Sequence, residues 1–144
     1  RVEHEELFWW AVERVSEEIP IRHYHGEIVT SANLDGRLKV YDYDEVVRSV
    51  DHLRVGDRAA PCAFVGWDNT PRRGRKGVVI TGASPEKFGE DLRRCVELAH
   101  AWDSREPLLF INAWNEWAEG CHLEPDQRFG GAFLEQLRTT LANC

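Results

Sequence analysis

The run Leu108-Leu109-Phe110-Ile111-Asn112-Ala113-Trp114-Asn115-Glu116-Trp117-Ala118-Glu119-Gly120 changes character halfway along, and that change decides how the fold is read. Its first half is apolar without alternation, the pattern of a strand buried on both faces, as parallel strands under helices are. Its second half is rich in Trp, Asn and Glu. Indoles and carboxylates directly behind a buried strand are out of place as solvated filler, so the segment reads as the functional end of a strand in a parallel sheet. In parallel barrels the chemistry gathers at such ends, because the loops there converge on one mouth.

Working upstream, Pro61-Cys62-Ala63-Phe64-Val65-Gly66-Trp67 is a second apolar run bounded by turn signals, hence a second strand, and Asp68-Asn69-Thr70-Pro71-Arg72-Arg73-Gly74 follows as a loop. Ser84-Pro85-Glu86 announces a helix, with Ser as N-cap and Pro at the first helical position. Phe88, Leu92, Cys95, Ala99 and Trp102 recur in it at steps of four, three, four and three, and residues 103–107 break it before the strand at 108–113. Val46, Val47, Val50 and Leu53 predict a shorter helix from Asp44, closed by Gly56-Asp57. Phe8, Ala11, Val12, Val15 and Ile19 predict an amphipathic helix over 4–18, stopped by Pro20. Residues 21–44 read as loop with a short strand. A final helix is expected to turn Phe133, Leu134, Leu137 and Leu141 inward. Strands alternating with helices predict an α/β fold with a parallel sheet and helical crossovers.

With 144 residues, 42% hydrophobic and 30% charged, the chain has the composition of one globular domain over 1–144. It contains no methionine and starts at Arg1 close to an apolar helical pattern, so it is expected to be a portion of a longer protein. The formal net charge of -7 argues against nucleic acid as a partner, whose binders are normally basic. No run approaches the roughly 18 apolar residues of a membrane span. Cys62, Cys95, Cys121 and Cys144 form no CxxC pair. Reduced thiols in a cytoplasmic protein are the simpler reading, with a secreted, disulfide-bonded chain as the alternative.

Glycosidic chemistry needs one group to move a proton at the bridging oxygen and another to act at the sugar ring, and two carboxylates serve. Glu116 and Glu119 are the candidates. In a helical turn, positions three apart have Cβ atoms about 5–6 Å apart, close to the ~5–5.5 Å of carboxyl pairs that react with retention. In an extended strand the same residues would stand roughly 10 Å apart and on opposite faces. The assignment therefore requires the chain to curl at Trp117-Ala118. Trp114 and Trp117 flank Glu116 and offer indole faces on which a sugar can stack, with Asn115 between them.

Glu124-Pro125-Asp126 either shapes the pocket, through Glu124, or merely starts the turn before the last helix. Trp67, Asp68 and Asn69 read as a sugar subsite built from stacking and bidentate hydrogen bonds, against the plainer reading of a turn. The run Arg72, Arg73, Arg75, Lys76 either holds a phosphate, as a nucleotide-sugar or lipid-linked glycan would present, or is a solvated loop, the simpler of the two. His23-Tyr24-His25 would put two imidazoles on one face if extended, yet no acid of ligand spacing stands near, so neither a metal site nor any other cofactor is expected.

Residues 112–120, followed by Leu123-Glu124-Pro125-Asp126, resemble the signature of the WbsX-type proteins, described as glycosyltransferases of lipopolysaccharide O-antigen assembly and related to glycoside hydrolase family 99. Gly66-Trp67-Asp68-Asn69-Thr70-Pro71-Arg72-Arg73 resembles a second hallmark of the group, and the likeness covers roughly residues 40–142. The resemblance implies the C-terminal portion of a (β/α)8 TIM-type barrel that makes or cleaves glycosidic bonds in an oligosaccharide or polysaccharide. It also implies roles: Glu116 as the base that lets the substrate's 2-hydroxyl attack the anomeric carbon, Glu119 as general acid and then base, with retention. The family 99 hydrolases typically carry His where this chain has Ala118, which matches the WbsX branch. The rival from another class is a glycan-binding domain that uses the same tryptophans and catalyses nothing.

Overall fold

The computed structural model describes residues 38–52, 60–101 and 107–142. The expected helix over 4–18, the His23-Tyr24-His25 cluster, Leu53, Trp102 and Cys144 lie outside the described residues, as does the side chain of Val50.

Strand β1, Lys39–Asp42, is the short strand expected in 21–44. Asp42 ends it and caps helix α1, Tyr43–His52, by accepting the N–H groups of Asp44 at 3.0 Å and Glu45 at 3.3 Å. Val46 of α1 is buried, and the Tyr43 hydroxyl donates to the Phe64 carbonyl at 2.7 Å, tying the start of α1 to the next strand.

The apolar run 61–67 is not one strand. Cys62–Phe64 forms β2, and two residues later Trp67–Asp68 forms β3, which belongs to a different sheet. The chain then makes a short helix α2, Thr70–Arg73, and a 3-10 turn, Gly74–Lys76, before returning as β4, Val78–Thr81. β4 lies antiparallel to β3, with Trp67 opposite Ile80, and parallel to β1, with Lys39 opposite Val78. The predicted loop after 67 is therefore the tip of a hairpin, and among the described residues β1, β4 and β3 form one small sheet from which β2 is separate.

Helix α3, Pro85–Ala101, begins as its sequence says: Ser84 Oγ accepts the Lys87 N–H and Pro85 fills the first turn. Phe88, Leu92, Cys95 and Ala99 are buried, so the predicted stripe faces the core. β5, Phe110–Asn112, runs parallel to β2, pairing Ala63 with Ile111 and Phe64 with Asn112, so β2, α3 and β5 make a parallel pair joined by a helical crossover. Leu108, before β5, is 61% exposed and Phe110 is also exposed, contrary to a strand covered on both faces. Among the described residues β5 has a neighbour on only one edge.

Helix α4, Ala132–Ala142, packs on α3, with the Phe133 ring edge-on to Phe88 at 5.6 Å and to Phe129 at 5.3 Å. Phe133 is buried and Leu134 and Leu137 pack on the core, as expected. Leu141 does not turn inward. The buried stripe runs Phe133, Leu137, Thr140, steps of four and three, which leaves Leu141 on the exposed flank.

Candidate active site

Adjacent parallel strands β2 and β5 each send an excursion from their carboxyl ends, and the two excursions meet. After β2 comes the β3–β4 hairpin. After β5 comes a smaller hairpin of β6, Asn115–Glu116, and β7, Cys121–His122, joined by a 3-10 turn over Trp117–Glu119. The Gly120 N–H closes that turn on the Trp117 carbonyl at 3.2 Å. A tight turn thus stands at Trp117–Glu119, where the carboxylate pair needs a curl, with Glu116 as its N-cap in β6 and Glu119 as its last residue.

The two glutamates differ in their surroundings. Glu116 stands opposite Cys121 in the hairpin, and directly opposite residues share a face. Cys121 is fully buried and its thiol donates to the Asn112 carbonyl at 2.9 Å, so the Glu116 face is the one turned toward the end of β5. Glu116 is half-buried, and among the described residues no hydrogen bond or ion pair reaches its carboxylate. Glu119 is held: Arg72 of α2 donates from Nη1 to its Oε1 at 2.7 Å. The Glu119 side chain is 12% exposed and that of Arg72 61%, so the pair lies at the surface and is not sealed in the core.

Both tryptophans that flank Glu116 are about half exposed. Trp117 is fixed from behind: its Nε1 donates to Glu124 Oε2 at 2.6 Å, and its ring stacks on the His122 imidazole at 3.7 Å with a 15° tilt. His122 in turn meets Asp126 through Nε2 at 3.2 Å. Asp126 accepts the N–H groups of Arg128 and Phe129 with its other oxygen, so it both starts the turn before α4 and anchors the imidazole. Burial alone would raise its carboxyl, but the Phe129 N–H, the His122 ring and the Arg128 N–H outweigh that and hold it below the ordinary range.

The three residues expected as a sugar subsite after β2 are arranged otherwise. Trp67, 6% exposed, packs its ring into the core, and Asn69, 1% exposed, spends its Oδ1 on the Val78 N–H at 2.7 Å, where it braces the hairpin. Both side chains are buried in this chain. Asp68 is half-buried, with Oδ1 accepting both the N–H and the hydroxyl of Thr70. It lies against Gly120, so the subsite signal at 67–69 marks the floor under the glutamate turn.

Arg72 as the partner of Glu119, and His122 as the support of Trp117, were not foreseen. Both pairings link separate segments or depend on a hairpin register, and no spacing rule points to either. β4 had a readable signal that went unused, since Val78-Val79-Ile80-Thr81 is four β-branched residues in a row.

Cys62, Cys95 and Cys121 are free thiols. Burial, and secondarily the charge of Asp91, pushes the Cys62 thiol up to about 11, and burial pushes Cys121 up to about 12. Both are structural sulfurs and not nucleophiles. No three His, Cys, Asp or Glu side chains among the described residues form a metal-holding cluster, and no described helix is long and apolar enough to cross a membrane.

These features define a protein of mixed helices and small sheets, with acidic and indole side chains gathered behind a parallel strand pair. The family model described as Glycosyltransferase WbsX matches residues 7–137, and the chain belongs to that family. The resemblance read from residues 66–73 and 112–120 therefore holds. The uncharacterized protein WxcX of Xanthomonas campestris pv. campestris strain B100 is 44% identical over 108 residues, which is 73% of this chain and 15% of WxcX. WxcX of strain ATCC 33913 matches with the same identity and coverage. The chain thus spans about 15% of the length of these relatives. No solved structure matches it.

Proposed function

We propose that this chain carries the catalytic glutamates of an enzyme that makes or cleaves glycosidic bonds in a bacterial surface polysaccharide, such as lipopolysaccharide O-antigen, on the C-terminal portion of a (β/α)8 barrel. Membership of a family described as glycosyltransferases supports the class of chemistry. The observation that carries the reading is the hairpin behind β5, in which Glu116, flanked by two half-exposed tryptophans, caps the 3-10 turn that ends at Glu119.

In this reading Glu116 takes the proton of the substrate's 2-hydroxyl as that oxygen attacks the anomeric carbon, and Glu119 gives a proton to the departing oxygen. In the second half Glu119 takes a proton from the incoming hydroxyl as its oxygen attacks the anomeric carbon, the bond from that carbon to the 2-oxygen breaks, Glu116 returns its proton to the 2-oxygen, and the anomeric configuration is retained. An acceptor sugar as the incoming hydroxyl makes the reaction transfer. Water makes it hydrolysis. Because Glu119 Oε1 already accepts from Arg72, that oxygen can meet the bridging oxygen only after the contact opens, whereas Oε2 needs no such step. Trp117, backed by His122, supplies the stacking platform, Trp114 a second one, and Asn115 and Glu124 lie beside them.

The test is turnover of candidate oligosaccharides by the full-length protein, with and without nucleotide-sugar donors, for the wild type and for Glu116→Gln and Glu119→Gln. Each substitution is expected to lower kcat/KM by at least ~10²-fold with binding retained. Product formed without a donor marks hydrolysis, and strict donor dependence marks transfer. The Arg72 contact favours one second reading, a non-catalytic glycan-binding domain in which Glu119 is a structural acid. Unchanged turnover in both variants would establish it in place of the first.

A further inference from the structure

The tip of the β3–β4 hairpin carries Arg72, Arg73, Arg75 and Lys76 within five residues, on a chain whose formal net charge is -7. All four are exposed. A solvated loop of this kind needs little internal structure, yet this one is braced throughout. Asn69, almost fully buried, takes the Val78 N–H with its side chain, its own N–H donates to the Val78 carbonyl, and its carbonyl accepts the N–H groups of Arg72 and Arg73. Thr70 donates twice to Asp68 Oδ1. Gly77 closes the loop where a Cβ would stand 2.9 Å from Thr70 Cγ2 and 3.0 Å from the Gly74 carbonyl oxygen, so the turn is tight enough to require glycine. The result is a rigid cationic tip that reaches across to the glutamate turn, where Arg72 holds Glu119.

We propose that this tip is an anion subsite contiguous with Glu119, so that the substrate carries a phosphate or carboxylate group next to the bond on which the glutamates act. The position of that bond rests on the paired-glutamate reading; the binding of the anion does not. A guanidinium offers paired donors that match an oxyanion, and a fixed geometry lowers the ordering cost of meeting one. Arg72 now gives one N–H to Glu119. An arriving oxyanion competes for that arginine, with Arg73 and Lys76 adding charge, while Glu119 keeps Oε2 clear of the contact.

Calorimetric titration of the full-length protein with inorganic pyrophosphate, with digalacturonate and with neutral cellobiose tests this. At least one anion is expected to bind more tightly than cellobiose, and to weaken as salt rises from about 0.05 to about 0.5 M. The Arg73→Gln/Lys76→Gln double variant, changed only at exposed positions, is expected to lose at least about tenfold in that affinity, with its circular dichroism spectrum unchanged. Glu119→Gln should keep or tighten it, because the competing carboxylate is gone. Binding of pyrophosphate alone assigns the anion to a phosphate-bearing donor, and binding of digalacturonate alone assigns it to an acidic glycan. Equal binding of all three compounds, binding of neither anion, or an anion affinity untouched by the double variant overturns the subsite. Anion binding absent while Glu116→Gln abolishes turnover rejects the subsite and leaves the glutamate reading; anion binding intact with turnover untouched by Glu116→Gln does the reverse.

Discussion

Gly120 has a φ of 60°, and a Cβ there would sit 3.3 Å from both the backbone nitrogen and the Cβ of Asp68. A left-handed conformation costs an ordinary residue roughly 1–2 kcal/mol, and the backbone contact leaves no flexible group to yield. Gly120→Ala is expected to lower the urea midpoint by the equivalent of about 1–3 kcal/mol, and to loosen the turn that carries Glu119. Cys121, one residue on, has a thiol pushed up to about 12 by burial. Peptide-resolved alkylation at pH 8 is expected to label it at least about a thousandfold more slowly than a free cysteine, since the thiolate is the reacting form. Equal labelling would mean that the hairpin opens readily. Asp126 is a pH-sensitive anchor. Its carboxyl is held below the ordinary range, so its contribution to stability is present above its unfolded value of about 4 and is lost as pH falls through the folded one. Asp126→Asn should therefore destabilise the fold at pH 7, and the gap between variant and wild type should close at strongly acidic pH in a series of urea melts.

Among the elements, the β3–β4 hairpin depends on one side chain. Asn69→Ala leaves the buried Val78 N–H without its acceptor, which costs about 1–3 kcal/mol. If the tip is the anion subsite, anion affinity should fall in the same variant. Helix α3 is different, because its start was written locally: Ser84 caps it, Pro85 follows, and its apolar stripe meets the core as spaced. In α1 Asp42 caps the start and Val46 is buried. Helix α4 shows the limit of spacing, since Leu137 could be followed inward at either 140 or 141 and packing against α3 selected Thr140. The split of 61–67 into β2 and β3 had no local signal comparable in strength, because Trp67 looks as apolar as its neighbours and only its pairing with Ile80 assigns it to another sheet.

For the whole molecule, the β2–α3–β5 crossover is the frame on which everything else hangs. Phe88, fully buried in the first turn of α3, packs against Phe133 and joins the helix layer to the core. Phe88→Ala is expected to cost about 3–5 kcal/mol, measurable by chemical denaturation. The sequence by itself determined the helix start at Ser84, the apolar runs behind which polar residues cluster, and the family, because each is written in a contiguous stretch whose spacing or motif carries the information. Only the tertiary structure decided that the chain curls at Trp117–Glu119, that Trp67 and Asn69 are spent inside the hairpin, and that Arg72 reaches Glu119. Those depend on strand register and on contacts between residues 47 positions apart, which no local periodicity encodes.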